Sequence, residues 1–205
     1  MILGDNQYYK CPKCGSLIST ISLLSGNTFG SIIFSDGFRI AHMLPNIPRF
    51  SRCFKCGTLF WLDEESRVEF VADKDYREAV GTLELEEYLV ALEMGNYKTE
   101  EDEIYLRIRL WWAFNDRVRA GKPLFSSESD KADWQQNLEK LLKLLDPGYN
   151  EDIIMMVEIY RNLGDFKKSR DLLASLQNDT VYNFKELIKK FEKEIIKKNT
   201  LVFKL

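Results

Sequence analysis

The sequence predicts an α+β chain: a small antiparallel β head followed by an all-α array of helical hairpins. Three observations carry this expectation. Up to about residue 62 the apolar residues fall in short, β-branched runs separated by turn residues. From about Asp73 they recur at the 3.6-residue period of helices, with Gly and Pro only as punctuation. All four cysteines lie in the first part, in two matching pairs. With 205 residues, 45% of them hydrophobic and 30% charged, the chain can bury one ordinary core or two small ones. The expected division is 1–66 for the β domain with an inserted hairpin and 73–205 for the helical domain.

The pairs read Cys11-Pro12-Lys13-Cys14-Gly15 and Cys53-Phe54-Lys55-Cys56-Gly57. Two residues between cysteines let both sulfurs of one turn reach a single ion at about 2.3 Å, and two such turns complete a tetrahedron. A glycine after each pair can adopt φ > 0 and curl the loop back, bringing backbone N–H groups toward the sulfurs. Lys13 and Lys55 stand at matching places where they can offset thiolate charge. Cys11, Cys14, Cys53 and Cys56 are therefore expected to hold one structural Zn²⁺ as four thiolates. The competing readings are a redox dithiol, which needs a single Cys-x-x-Cys at a strand-to-helix junction, and four buried free thiols. His42, the single histidine, is distant in sequence from both pairs and is expected to be a plain loop residue.

The 38 residues between Cys14 and Cys53 require an insertion between the two turns, and they read as β structure. Residues 16–24 form one candidate strand, Ser25-Gly26-Asn27 a turn, and residues 28–34 a second strand. Ser35-Asp36-Gly37 turns the chain into a short return, Phe38-Arg39-Ile40. A last strand, 58–62, carries Phe60-Trp61, expected to cover the metal site and meet the body. A head of about 60 residues is a marginal core, so metal binding is expected to supply much of its folding free energy.

Six helices are predicted near 74–95, 101–119, 130–145, 150–163, 166–177 and 183–199. Their ends fall at Gly95-Asn96-Tyr97, Gly121-Lys122-Pro123, Asp146-Pro147-Gly148, Gly164-Asp165-Phe166 and Asn178-Asp179-Thr180. The short connections put consecutive helices antiparallel. The second helix is apolar on more than one face, so Trp111 and Trp112 are expected in the core, with Arg107 and Arg109 emerging at a groove or pairing with Glu101 or Glu103. The last helix, with six lysines, is expected to lay Phe184, Leu187, Ile188, Phe191 and Ile195 on the preceding hairpin and leave its lysines in water. The apolar end, 200–205, either tucks against the body or adds to a partner or second copy.

The run Ile153, Met156, Val157, Tyr160, Gly164-Asp165-Phe166, Ser169, Leu173 and Leu176 resembles one tetratricopeptide repeat, with Gly-Asp-aromatic at the turn between its helices. Asp146-Pro147 stands where the preceding repeat of that register closes, and Gly95-Asn96-Tyr97 echoes Gly164-Asp165-Phe166 at a separation of 69. The resemblance covers roughly 116–177 and departs from the pattern at Ser169 and at Met156-Val157, so the array is tetratricopeptide-like, not regular. More loosely, the chain is similar to uncharacterised bacterial proteins in which a zinc ribbon precedes helices. The residues concerned are Cys11-Pro12-Lys13-Cys14, Ser25-Gly26-Asn27-Thr28-Phe29-Gly30, Ser35-Asp36-Gly37, Met43-Leu44-Pro45 and 53–61. That likeness implies architecture and no activity.

Neither a Gly-x-Ser-x-Gly turn nor a phosphate-binding Gly-x-x-x-x-Gly-Lys loop occurs, and the expectation is a protein that is not an enzyme. No stretch is apolar enough for a membrane span and the start lacks the order of a signal peptide, so a cytoplasmic protein is expected. The function expected first is a protein–protein interaction adaptor whose helical groove takes a protein or peptide, with self-association left open. The alternative is nucleic-acid binding by the head. Residues 1–62 carry six basic and two acidic residues, against 23 and 30 in the remainder. Four thiolates around one Zn²⁺ would lower the head's +4 to +2. Lys10, Lys13, Arg39, Arg49, Arg52 and Lys55 would meet phosphates, with Phe29, Phe34, Phe38, Phe50 and Phe54 available for stacking.

Overall fold

The structure, a computed structural model, describes residues 1–69, 76–176 and 184–205. Among the described residues ten short strands precede six helices, an α+β layout. Among the described residues no helix is long and apolar enough to cross a membrane. The chain divides into two compact units: residues 1–31 with 40–97, and residues 32–39 with 98–205.

Unit one is built on β-hairpins. Strands β2 (Gln7–Lys10) and β3 (Leu17–Thr20) pair antiparallel, Tyr9 opposite Ile18, and β9 (Arg67–Val68) adds to the other edge of β2. Strands β7 (Phe50–Arg52) and β8 (Leu59–Trp61) form a second antiparallel pair. The run expected as one strand over 16–24 is broken. The chain leaves β3 after Thr20, Gly4 donates its amide to Ser22 O, and β4 (Leu23–Ser25) pairs instead with β1 (Ile2–Leu3). The expected strand over 28–34 shortens to β5 (Ile32–Ile33), because the Asn27 side chain accepts from the Phe29 amide and Ser31 closes a turn on Thr28.

The first helix is the largest correction in this region. It was expected from residue 74, yet Tyr76–Glu78 is a strand, β10, lying parallel to β3 with Tyr76 opposite Leu17. The sheet order is β10-β3-β2-β9. Ladder bonds, continued by the Ala79 amide on Ser19 O, satisfy the backbone that a helix would otherwise have paired internally. Residues 74 and 75 lie outside the described residues. Helix α1 (Leu85–Glu93) starts only after Glu84, whose amide donates to the Glu87 carboxylate. It is held to β7 by an Arg52–Glu87 ion pair of 2.7 Å and to β8 by Trp61 Nε1, which donates to Asn96 O at 2.7 Å. Although expected with the helical region, α1 belongs to unit one.

Unit two contains α2 (Glu100–Arg119), α3 (Glu128–Leu142), α4 (Asn150–Asn162), α5 (Phe166–Ser175) and α6 (Lys185–Ile196). Thr99, Ser127 and Asp165 cap α2, α3 and α5, each accepting a backbone amide three residues on. Leu106, Leu110, Trp111, Phe114, Leu138 and Leu141 bury one core. Val157, Leu173, Ile188, Phe191 and Ile195 make another, to which the C-terminal tail contributes Phe203 and Leu205. The lysine-rich helix therefore packs its apolar stripe as expected, and the tail is tucked in. Residues 177 and 183 and the expected turn at 178–180 lie outside the described residues.

Residues 32–39, read from sequence as part of the head, belong to unit two. The Phe34 amide donates to Phe38 O, closing the hairpin between β5 and β6 (Arg39–Ile40). At its tip Ser35 and Asp36 are buried, at 2% and 3% exposure. The Ser35 amide donates to Phe203 O in the tail, and the Ser35 hydroxyl accepts from the Phe203 amide and donates to Glu158 at 2.7 Å. Asp36 accepts from Asn115 at 2.8 Å and pairs with Arg119, while Trp112 Nε1 donates to its carbonyl.

Beneath this tip Glu158 and Arg161, both fully buried, form a bidentate pair at 2.6 and 2.7 Å. Arg161 also donates to the carbonyls of Asn199 and Leu201, and Asn162 to Glu158 and Thr200 O. Burial pushes the Glu158 carboxyl up, against the downward pull of Arg161 and Ser35. Of the two arginines expected to pair or emerge, Arg107 is buried, paired with Glu103 at 2.5 Å and bonded to Asn137. Arg109 is buried with its guanidinium over the Tyr105 and Trp112 rings.

Candidate metal centre

Both cysteine pairs sit at the tips of antiparallel hairpins, the first between β2 and β3, the second between β7 and β8. The two tips repeat one set of bonds. In the first, the Gly15 amide donates to Cys11 O at 3.0 Å and the Cys11 amide to Ser16 O at 2.9 Å. In the second, Gly57 donates to Cys53 O at 3.0 Å and Cys53 to Thr58 O at 2.9 Å. These turns require φ near +74° at Gly15 and +72° at Gly57, a region where any Cβ is strained. That is the role the sequence assigned to the two glycines.

The four sulfurs come together. Every pair of Sγ atoms among Cys11, Cys14, Cys53 and Cys56 lies within 4.8 Å. Cys11 and Cys56 are 3.7 Å apart, and Cys14 and Cys53 are 3.5 Å apart. Sulfurs at the corners of a tetrahedron, each about 2.3 Å from a central ion, stand about 3.8 Å from one another. A disulfide requires about 2.05 Å. The arrangement is compatible with a single metal site with four cysteine ligands, each pair being bridged across the two tips.

The surroundings suit thiolates unequally. Cys11 and Cys53 are buried, each 1% exposed, among Tyr9, Ile18, Phe60 and Leu62, whereas Cys14 and Cys56 are more open. Cys14 Sγ lies 3.2 Å from Ser16 Oγ, and the hydroxyl and amide of Ser16 hold its thiol down to about 6. Thr58 does the same for Cys56, at 3.2 Å, and lowers it. Burial pushes the Cys53 thiol up to about 12. Four thiolates this close repel one another and two are taken out of water, so the full set of charges is stable only with a cation at their centre.

Ser16 and Thr58 are the members of this site that the sequence reading missed. The signal was available as a hydroxyl residue two places after the second cysteine of each pair, in Cys14-Gly15-Ser16 and Cys56-Gly57-Thr58. Phe60 packs with the cysteines as expected, but Trp61 points to the other face of β8, against Phe50 at 4.9 Å. The alternation of a strand separates the two rings. Lys13 and Lys55 are exposed, and exposed His42 stands apart from the cluster in its own turn.

Several of the residues proposed for a nucleic-acid face are engaged elsewhere. Phe34 and Phe50 are buried, Phe38 packs on Trp112 at 5.3 Å, and Arg52 is paired with Glu87. Phe29 and Phe54 remain exposed. No protein-family model, curated protein or solved structure matches this chain.

Proposed function

We propose that the protein is a non-enzymatic interaction adaptor: a head stabilised by one structural Zn²⁺ on Cys11, Cys14, Cys53 and Cys56, joined to a tetratricopeptide-like scaffold that binds a protein or peptide. Zinc suits four thiolates in tetrahedral array, and the repeated backbone bonds at both tips suit a zinc ribbon. The observation that carries the adaptor reading is how the helices pack. Each of α2 to α6 packs on its chain neighbour, in the pairs α2–α3, α3–α4, α4–α5 and α5–α6. Such serial packing is how helical-repeat stacks leave an extended surface for a partner. At the tightest of these pairs the fully buried Ser169 donates to Val157 O at 2.8 Å, a small residue where a tetratricopeptide repeat has alanine.

The test is affinity capture with the full tagged chain, with and without nuclease, read by mass spectrometry, beside a metal assay of the purified protein. A defined set of proteins that survives nuclease, with one zinc per chain, supports the adaptor. Recovery that disappears with nuclease and falls steeply with salt overturns it in favour of nucleic-acid binding by the head. A chain purified without stoichiometric metal overturns the zinc assignment.

A further inference from the structure

Within unit two, residues 199–205 leave α6, pass the end of α4 and reach the edge of β5, held chiefly by their main chain. Arg161 donates to the carbonyls of Asn199 and Leu201, the latter at 2.8 Å, and Asn162 donates to that of Thr200 at 3.0 Å. Two side chains thus take three successive carbonyls. Beyond them the segment adds to β5. The Ser35 amide donates to Phe203 O at 2.9 Å, the Phe203 amide to Ser35 Oγ at 3.1 Å and the Leu205 amide to Ile33 O at 2.9 Å, with Phe34 opposite Lys204 in an antiparallel bridge. Adding a strand to a sheet edge is a recurring mode of peptide recognition, with affinity from main-chain bonds and specificity from side-chain pockets.

The groups that hold the segment are themselves fixed by the scaffold. The fully buried Glu158 accepts from Arg161 at 2.6 and 2.7 Å, from Asn162 at 3.1 Å and from Ser35 at 2.7 Å. Trp111 donates to Asn162 Oδ1 at 3.0 Å. One carboxylate therefore aims all three at the segment, and groups ordered in advance lower the entropic cost of taking a ligand.

Few side chains of the segment are read. Val202 is buried, Phe203 packs edge-on against Phe191 at 5.3 Å and beneath the Arg161 guanidinium, and Leu205 packs on the same core. Leu201 and Lys204 are exposed. The pattern selected is aliphatic, Phe, any residue, Leu. The joint to α6 is strained: Lys198, at φ +52°, is the one non-glycine residue at positive φ among the described residues. Release of the segment relieves that strain.

We infer that this seat, formed by Arg161, Asn162, Ser35 and the edge of β5, is where the scaffold takes its partner, a peptide segment of the pattern aliphatic-Phe-x-Leu, in exchange for its own residues 199–205. The inference rests on the adaptor reading and names the partner's chemistry.

The probe is the heptapeptide Asn-Thr-Leu-Val-Phe-Lys-Leu, labelled with fluorescein at its amino end and titrated with the full chain by anisotropy. It is expected to saturate one site, and to bind about tenfold more weakly when its Phe is replaced by Ala. In the chain, Phe203→Ala weakens the resident segment and frees the seat, so the unaltered peptide should bind about tenfold more tightly than to wild type. Adding Ser35→Ala to that variant removes a bond from the seat and should weaken the peptide several-fold. If Phe203→Ala loses the wild-type helical circular dichroism, the wild-type chain decides by itself. In its proton–nitrogen spectrum the Phe203 and Leu205 amides should move to disordered positions as unlabelled peptide saturates. Absence of saturation, equal binding of the two peptides, or binding that leaves these amides in place overturns the proposal. A wild-type dimer that the peptide dissociates overturns it in favour of tail exchange with a second copy. Proteins captured in the adaptor test that excess peptide does not displace overturn this seat and leave the adaptor reading standing. Peptide exchange in a chain that captures no protein supports the seat and counts against the adaptor reading.

Discussion

In unit one the core around the cysteines amounts to Tyr9, Ile18, Phe60 and Leu62 beside Cys11 and Cys53, whereas unit two buries a whole series of large side chains, with Trp111, Phe114 and Phe191 at zero exposure. The polar groups divide in the same way. Unit one gathers four thiols that repel one another once ionised, and unit two encloses an acid and a base, Glu158 and Arg161, that neutralise each other. For a small set of hairpins with little apolar area, a cation bound at such a cluster would be a large share of the stability. A stack of helices can bear a buried charge pair because its apolar burial is large enough to offset the desolvation.

The largest expected effect separates the units directly. Chelation under reducing conditions, or Cys53→Ser, should remove a binding contribution on the order of 10 kcal/mol from the head. Hydrogen exchange of the full chain should then show protection lost in 1–31 and 40–69 and kept in α2 and α4. Uniform loss would mean that unit two also depends on the metal, and the comparison would break.

Arg161→Leu comes next. It strands the Glu158 carboxylate and should lower unfolding free energy by about 3–5 kcal/mol, read as a urea midpoint by helical circular dichroism. Adding Glu158→Leu should recover most of that loss, because the stranded charge, not the missing contact, carries the cost. Gly164→Ala is smaller, about 1–2 kcal/mol by the same measurement. Gly164 ends α4 at φ +81°, with open space where a Cβ would stand, so the cost is backbone strain alone.

The smallest effect is a pH dependence in unit two. The Ser126 amide and the Arg117 guanidinium hold Asp130 below the usual carboxylate range. Its folded value lies below its unfolded value of about 3.9, so its contribution is present above about pH 4 and is lost as pH falls through the folded value. Asp130→Asn should flatten the acid limb of the stability curve below about pH 4 and leave the neutral limb parallel to wild type.

Much of the candidate metal centre was legible in the residues. Paired Cys-x-x-Cys-Gly turns specify both the thiols of each tip and the backbone curl, because spacing and glycine act within one turn of chain. Helices α2 to α5 were legible for the same reason, through apolar period and through stops such as Gly121-Lys122-Pro123, Asp146-Pro147-Gly148 and Gly164-Asp165-Phe166. Strand β10 was not. Tyr76–Glu78 has no strand signature apart from its partner β3, which lies more than fifty residues earlier. The tip residues Ser35 and Asp36 read as turn formers and are that, but their second task, bonding Glu158 and Arg119, spans over eighty residues of sequence.

The sequence by itself determined which sulfurs share each tip, where the chain turns helical and which side chains form the apolar stripe of the last helix, since each depends on residues within one or two turns of one another. Tertiary structure alone decided that residues 32–39 join the helical unit, that α1 joins the head, and that Arg161 and Asn162 hold the carbonyls of residues 199–201. These outcomes depend on which distant groups compete for one buried donor, acceptor or charge, and that competition is resolved only when the whole chain is packed.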